Sequence, residues 1–190
     1  MLDLIKNIDI GLLLKINGHH TNWLDFIMFQ ASARFTWIPF YILIIALLIK
    51  HYKKESILII LFTIITIVLS DQISVHLFKD LFQRLRPCHN TEIANSLHLV
   101  NNICGGAYGF VSSHAANSFS ILVFLSPKIK DKIKYLWWAM IAWALLLCYS
   151  RIYLGVHYPL DVLAGAIVGS VIGLTTYSSY KLILKNYSRL

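Results

Sequence analysis

Three short clusters carry side chains that could work on a phosphate ester. The first, Lys79-Asp-Leu-Phe-Gln-Arg-Leu-Arg86-Pro87, sets a lysine and an arginine seven apart, two turns on a helix and about 10 Å along one face. The second, Val111-Ser112-Ser113-His114, opens an apolar segment. Serine is a strong N-cap, and a helix N-terminus turns free N–H groups toward an anion. The third runs from Ser150-Arg151 through His157-Tyr-Pro159 to Asp161. A carboxylate four residues after an imidazole can accept its N–H and fix its tautomer, and proline suits a first helical turn.

Together these residues meet the needs of phosphoryl transfer. The cations Lys79, Arg86 and Arg151 would neutralise the phosphate oxygens and the charge of a five-coordinate transition state, arginine offering a planar fork. His157, with its other nitrogen held by Asp161, is a competent nucleophile. His114 can protonate the leaving alkoxide. No carboxylate cluster suited to Mg²⁺ accompanies them, so neither a metal nor another cofactor is implied.

The elements that must position these clusters are membrane helices. Apolar residues make up 57% of the 190, above the roughly 45–50% of globular chains, and charged residues only 14% against about 25%. So few charges cannot cover a small water-soluble domain. The predicted fold is all-α: a single polytopic bundle over 1–190, with a helical core at 35–185. Candidate spans lie at 35–50, 55–77, 110–127, 135–151 and 160–181. Only the last exceeds the roughly 18 uncharged residues of a plain span; the others need snorkelling flanks. Residues 2–16, with Leu2, Ile5, Ile8, Leu12 and Ile16 at near-helical spacing, read as an amphipathic interfacial helix. They lack the features of a signal peptide. Residues 21–33 form a second short helix of about 20 Å, which counted as a span would make six.

The net charge of +8 follows the topology. Lys50, Lys53 and Lys54, then Lys128, Lys130, Lys132 and Lys134, then Lys181, Lys185 and Arg189 lie in short segments between apolar runs, as cytoplasmic loops do under the positive-inside rule. Nucleic acid is therefore not the expected partner. Residues 78–109 and 151–160 then lie on the opposite, outer face with all three clusters. For a bacterial inner membrane that face is the periplasm. Cys88 and Cys104 share this outer loop, where an oxidising periplasm permits a disulfide; two unpaired cysteines are the alternative. Cys148 reads as a buried thiol.

Other polar residues have plainer expectations. Arg84 reads as a snorkelling anchor. His76, His89 and His98 match no ligand spacing and read as solvated loop histidines. Asp25 and Asp71 are expected to pair with a nearby cation or water. Trp137, Trp138, Tyr149 and Tyr153 read as interfacial belts. Gly165, Gly169 and Gly173 read as close helix packing within the bundle rather than a dimer contact.

The three clusters, in this order and spacing, resemble the type-2 phosphatidic acid phosphatase superfamily, whose pattern is K-x6-RP, P-S-G-H and S-R-x5-H-x3-D. Lys79, Arg86 and Pro87 complete the first motif; Ser150, Arg151, His157 and Asp161 complete the third. In the second, Ser112 and His114 match, while Val111 stands for Pro and Ser113 for Gly. The resemblance implies a metal-independent phosphatase acting at the outer face. His157 would form a phosphohistidine, Asp161 would orient it, and His114 would protonate the leaving group and activate water. Lys79, Arg86, Ser112, Ser113 and Arg151 would hold the phosphate. The implied partners are membrane lipids, with undecaprenyl diphosphate, phosphatidylglycerophosphate, phosphatidic acid or a lipid A phosphate as substrate. The alternative is a non-catalytic lipid-binding or transport protein with a degenerate phosphate site, which the altered second motif would suit.

Overall fold

The computed structural model describes residues 2–187; Arg189 of the basic tail lies outside them. The chain folds as helices α1 Leu2–Gly18, α2 Asn22–Ser32, α3 Ile38–Tyr52 and α4 Glu55–Gln72. From α4 a π-helical segment, Ile73–Lys79, leads into the single turn α5 Asp80–Phe82. Helices α6 Ser113–Ile129, α7 Lys134–Tyr153 and α8 Pro159–Tyr187 complete the bundle. Pro159 opens α8, where its missing N–H costs nothing.

Among the described residues, four stretches are long and apolar enough to cross a membrane: Phe35–Tyr52, Glu55–Phe82, Lys134–Tyr153 and Pro159–Lys185. The remaining expected span, 110–127, corresponds to α6, which has 17 residues and sits at the centre, packed by α4, α7 and α8. Its Leu122, Phe124 and Leu125 are buried against Ile59 and Phe62 of α4, Met140 and Ala144 of α7, and Tyr180 of α8.

Helix α8 shows how the sequence divides its faces. Gly165, Gly169 and Gly173 form a stripe along α6, where an added methyl group would overlap the carbonyl oxygens of Ser112, Ala116 and Ser120. Leu163, Ile167, Val171 and Leu174 form another stripe, each more than half exposed. On the outside of a bundle this long, such a surface suits hydrocarbon rather than water. The basic ends of the helices meet at one pole: Lys128 binds Glu55 at 2.6 Å, and the Tyr180 and Tyr52 hydroxyls donate to Glu55 and to the Lys128 carbonyl.

Helix α1 lies against the opposite pole. Its apolar Leu4, Ile5, Ile8 and Leu12 face outward, while Asp9, Leu13 and Asn17 are buried against the protein. The spacing of four explains the shared face. Asn17 clamps two chain turns by donating to the carbonyls of His98 and Tyr153 at 2.8 and 2.7 Å.

The structure corrects the expected helical face for the first cluster. The helix stops at Phe82 because Gln83 is left-handed, with φ 46°. Arg86 precedes a proline and is extended, with φ −63° and ψ 156°. Lys79 and Arg86 therefore do not share a helix face. Instead residues 84–86 pair with 107–109: Leu85 bridges Tyr108, Arg86 N–H donates to Ala107 at 2.9 Å, and Gly109 N–H donates to Arg84 at 2.8 Å. A Cys88–Cys104 disulfide, with Cα atoms 6.1 Å apart, ties the same two strands of loop together.

Candidate active site

The end of the bundle opposite the basic pole gathers all three clusters. Ser112 N–H donates to the Asp161 carbonyl at 2.9 Å, so the N-terminus of α6 is fastened to that of α8. The approach of the preceding loop is close: a Cβ on Gly109 would lie 3.1 Å from Asp161 Oδ2 and 3.2 Å from Arg86 Cγ.

His157 is buried at the centre. Arg86 Nη1 lies 2.8 Å from its Nε2. A guanidinium can only donate, so Nε2 must carry the lone pair and the proton must sit on Nδ1. Nδ1 faces Asp161 Oδ2 at 3.6 Å, too long for the hydrogen bond the sequence suggested. The Asp161 oxygens are taken by other donors, Tyr158 N–H at 3.0 Å and Arg84 at 2.6 Å. Burial, and then the charges of Arg86, Arg151 and Lys79, hold His157 well below the ordinary histidine range. It is thus a neutral imidazole with its lone pair turned toward cations.

Those cations are held by separate devices. Arg86 Nε donates to the Gly106 carbonyl at 2.8 Å, and Nη1 also donates to Val156 at 3.0 Å. Arg151 donates to Ser32 Oγ at the end of α2. Lys79 donates to Ser113 Oγ at 2.8 Å, which is also 3.0 Å from Ser74 Oγ. Ser113, the departure from the family glycine, therefore supplies the hydroxyl that positions Lys79. This speaks against reading the second cluster as eroded. His114 shares a cavity of about 310 Å³ with Arg86 and Arg151, walled by Phe29, Leu154 and Val156, and the backbone of Ser32 lies against its ring.

Ser112 occupies the N-cap position but makes no capping bond. Among the described residues, the buried polar atoms without a hydrogen-bond partner include Ser112 Oγ, Arg151 Nε and His157 Nδ1. An unsatisfied buried polar group costs about 1–3 kcal/mol.

Several plainer expectations need correction. Arg84 is not a snorkelling anchor but bridges Asp9 and Asp161. His98 is not a solvated histidine: its Nε2 lies 2.8 Å from Asp25 Oδ2, and His20 stacks on its ring at 3.6 Å. Tyr153 is no belt residue; it is buried and donates to Asp25 Oδ1 at 2.6 Å. Asp25 does find a partner, as does Asp71, which accepts from Asn117 at 3.4 Å. His89 contacts the Gly105 carbonyl at 3.2 Å, and His76 is exposed beside Asp80. Ser32 and Asp9 carried no local motif. The one available signal was an acidic residue inside an apolar helix, which marks a functional candidate.

Known proteins resemble this chain in sequence and fold. A family model described as the PAP2 superfamily matches residues 56–184. The chain is 35% identical over 179 residues to a lipid A 4'-phosphatase of Bacteroides thetaiotaomicron, covering 93% of this chain and 79% of that one. It is 30% identical over 172 residues to an undecaprenyl-diphosphatase of Sulfolobus acidocaldarius, covering 89% and 73%. Its fold matches the crystal structure of a PAP2-type phosphatidylglycerolphosphate phosphatase from Bacillus subtilis with a TM-score of 0.68 at 19% identity, over 95% of this chain and 88% of that one. The family match runs from the start of α4 almost to the end of α8 and takes in all three phosphate-directed clusters; the chain belongs to the PAP2 superfamily and is an integral-membrane lipid phosphatase.

Proposed function

We propose that this protein removes the 4'-phosphate of lipid A, without a metal ion and through a phosphohistidine, at the periplasmic face of a bacterial inner membrane. The observation that carries the chemistry is the contact of Arg86 with His157 Nε2, which puts the nucleophilic lone pair where a clamped phosphate would sit. Nε2 attacks phosphorus, and the P–O bond to the sugar breaks. A sugar alkoxide is a poor leaving group, so His114 delivers a proton to it. His114 then accepts a proton from water, whose oxygen displaces phosphate from Nε2. Asp161 faces Nδ1–H and stabilises the imidazolium character of the intermediate. Lys79, Arg86 and Arg151 balance the charge that a divalent metal would otherwise balance, with Ser112 and Ser113 completing the phosphate site.

The substrate reading rests on the lipid A 4'-phosphatase relative. The orientation rests on the basic pole at the far end of the bundle. On this orientation the four long helices and α6 make five spans, with α1 and α2 at the outer interface. The undecaprenyl-diphosphatase relative favours a second reading, a prenyl diphosphate. Phosphate release by the detergent-purified protein in EDTA, across lipid A, undecaprenyl diphosphate, phosphatidylglycerophosphate and phosphatidic acid, separates them. The highest kcat/KM is expected on lipid A carrying the 4'-phosphate. A higher value on undecaprenyl diphosphate would move the assignment to the second reading, and activity lost in EDTA and restored by Mg²⁺ would overturn the metal-free mechanism.

A further inference from the structure

Arg84 lies within the first cluster but is not one of its motif positions, yet it joins two buried carboxylates. Nη1 donates to Asp161 Oδ1 and Nη2 to Asp9 Oδ2, both at 2.6 Å. The carboxylate side chains are 0% and 1% exposed, and that of Arg84 is 29% exposed. Its guanidinium also lies over the Tyr158 ring, 4.1 Å from the centroid, and its carbonyl accepts from Gly109. Asp9 Oδ1 accepts from Leu160 N–H at 2.8 Å, so α1 grips both Arg84 and the first turn of α8.

We propose that Arg84, braced by Asp9, is a positioning residue for phosphoryl transfer: it holds the Asp161 carboxylate in the plane that faces His157 Nδ1. The inference rests on the reading of His157 as nucleophile. A carboxylate turns easily about its last side-chain bond, where the torsional wells are broad. Here Oδ1 is fixed by Arg84 and Oδ2 by Tyr158 N–H, leaving Oδ2 3.6 Å from Nδ1. Asp161 is only 3.6 Å from the ring that must turn cationic, so the tilt of its plane sets how strongly it stabilises the intermediate. Asp9 in turn prevents Arg84 from leaving for solvent. Burial works against the Arg84 charge, but Asp161 and Asp9 outweigh it and keep the guanidinium above its ordinary range. The charge Asp161 depends on is therefore permanent.

A double-mutant cycle on the full chain in detergent tests this. Arg84→Met should lower kcat by about 10–100-fold, as the loss of an orienting partner does elsewhere, with KM changed by less than about threefold. In the Asp161→Asn background the same change should cost less than about threefold further, because the group it acts through is gone. Arg84→Lys, which keeps a charge for Asp161 but lacks the fork for two carboxylates, should lose less than Arg84→Met. Should Arg84→Met not fold, Asp9→Asn serves in its place, with a smaller kcat loss that likewise vanishes beside Asp161→Asn. Losses that multiply in the double variant, or an Arg84→Met kcat equal to wild type, overturn the inference. Full activity of His157→Gln would instead overturn the nucleophile reading beneath it.

Discussion

Arg86 Nη1 and His157 Nε2 are 2.8 Å apart, so the guanidinium and the imidazole touch each other directly. The contact selects one tautomer of His157, because only an unprotonated Nε2 can accept from arginine. It also means that one move serves two ends. On the proposed mechanism, a phosphate oxygen that draws Arg86 toward itself would uncover the lone pair that attacks phosphorus.

On the proposed mechanism His157 is the nucleophile. His157→Ala and His157→Gln are expected to lose about a thousandfold or more in kcat. Rapid alkaline quenching of the wild type with labelled substrate should retain label on the protein, and acid should release it, since a phosphorus–nitrogen bond is acid-labile. His157→Gln should retain none. Label that survives acid, or a His157 variant within tenfold of wild type, would remove the phosphohistidine from the mechanism.

His157 also sets an acid limit on stability. Its pKa in the folded protein lies well below the ordinary range, through burial and then the neighbouring Arg86, Arg151 and Lys79; in the unfolded chain it is about 6.5. As pH falls below about 6.5 the unfolded chain binds a proton that the folded protein refuses, so stability declines by up to about 1.4 kcal/mol per pH unit. Above that pH the group is neutral in both states and contributes no slope. Thermal midpoints from about pH 7.5 down to 5 should fall more steeply for wild type than for His157→Gln. Parallel curves would show that His157 does not carry the slope.

How much of this was legible in the sequence depends on what each residue answers to. On the proposed function, Lys79, Arg86, His114, Arg151, His157 and Asp161 answer to the geometry of a phosphate, which imposes residue types and spacings along short stretches. Arg84 answers to Asp9 and to Asp161 across separations of 75 and 77 residues that no local pattern records. Tyr153 looked like a belt residue because aromatic side chains near a helix end usually are, and its half-buried partner Asp25 lies 128 positions away. The end of the helix at Phe82 was hidden too, since Gln83 adopts a left-handed conformation without being glycine. The glycine stripe was legible because only a close neighbour gives such a repeat a purpose.

His114 is expected to matter in proportion to the leaving group. It shares the cavity with Arg86 and Arg151, and on the proposed mechanism it protonates a departing alkoxide. His114→Ala should lose roughly 100–10,000-fold on a sugar phosphate, in the range of general acid catalysis. A nitrophenyl phosphate, whose leaving group needs no proton, should lose far less. Equal losses on both would assign His114 to phosphate binding instead.

The contact of α8 with α6 leaves no room for side chains at the glycine stripe. Gly169→Leu would drive carbon into the Ala116 carbonyl and is expected to cost about 1–3 kcal/mol or more. Gly11 in α1 offers the control, since nothing lies within 4 Å of its added methyl group. Gly11→Ala should be neutral or stabilising by up to about 1 kcal/mol through helix propensity. Thermal midpoints in one detergent compare the two; equal effects would mean that the α6–α8 approach is looser than described.

The Cys88–Cys104 bridge should act on phosphate binding as well as on stability. It spans 16 positions, and closing such a loop is worth about 3 kcal/mol on the chain-entropy estimate. Its place in the site is more specific. Cys88 follows Arg86 and Pro87, and Cys104 precedes Gly105 and Gly106, whose carbonyls contact His89 and accept from Arg86 Nε at 2.8 Å. The bridge therefore holds the loop that holds the clamp. Cys88→Ser with Cys104→Ser should lower the thermal midpoint and raise both KM and the concentration of vanadate needed to inhibit, because Arg86 loses part of its support. The kcat at saturation should change less. Mass spectrometry without reductant should find the 88–104 linkage, with Cys148, which is buried and free, unlinked. Ready alkylation of both loop cysteines before reduction would remove the bridge. A double variant with normal vanadate inhibition but a lowered midpoint would confine the bridge to stability and detach it from the clamp.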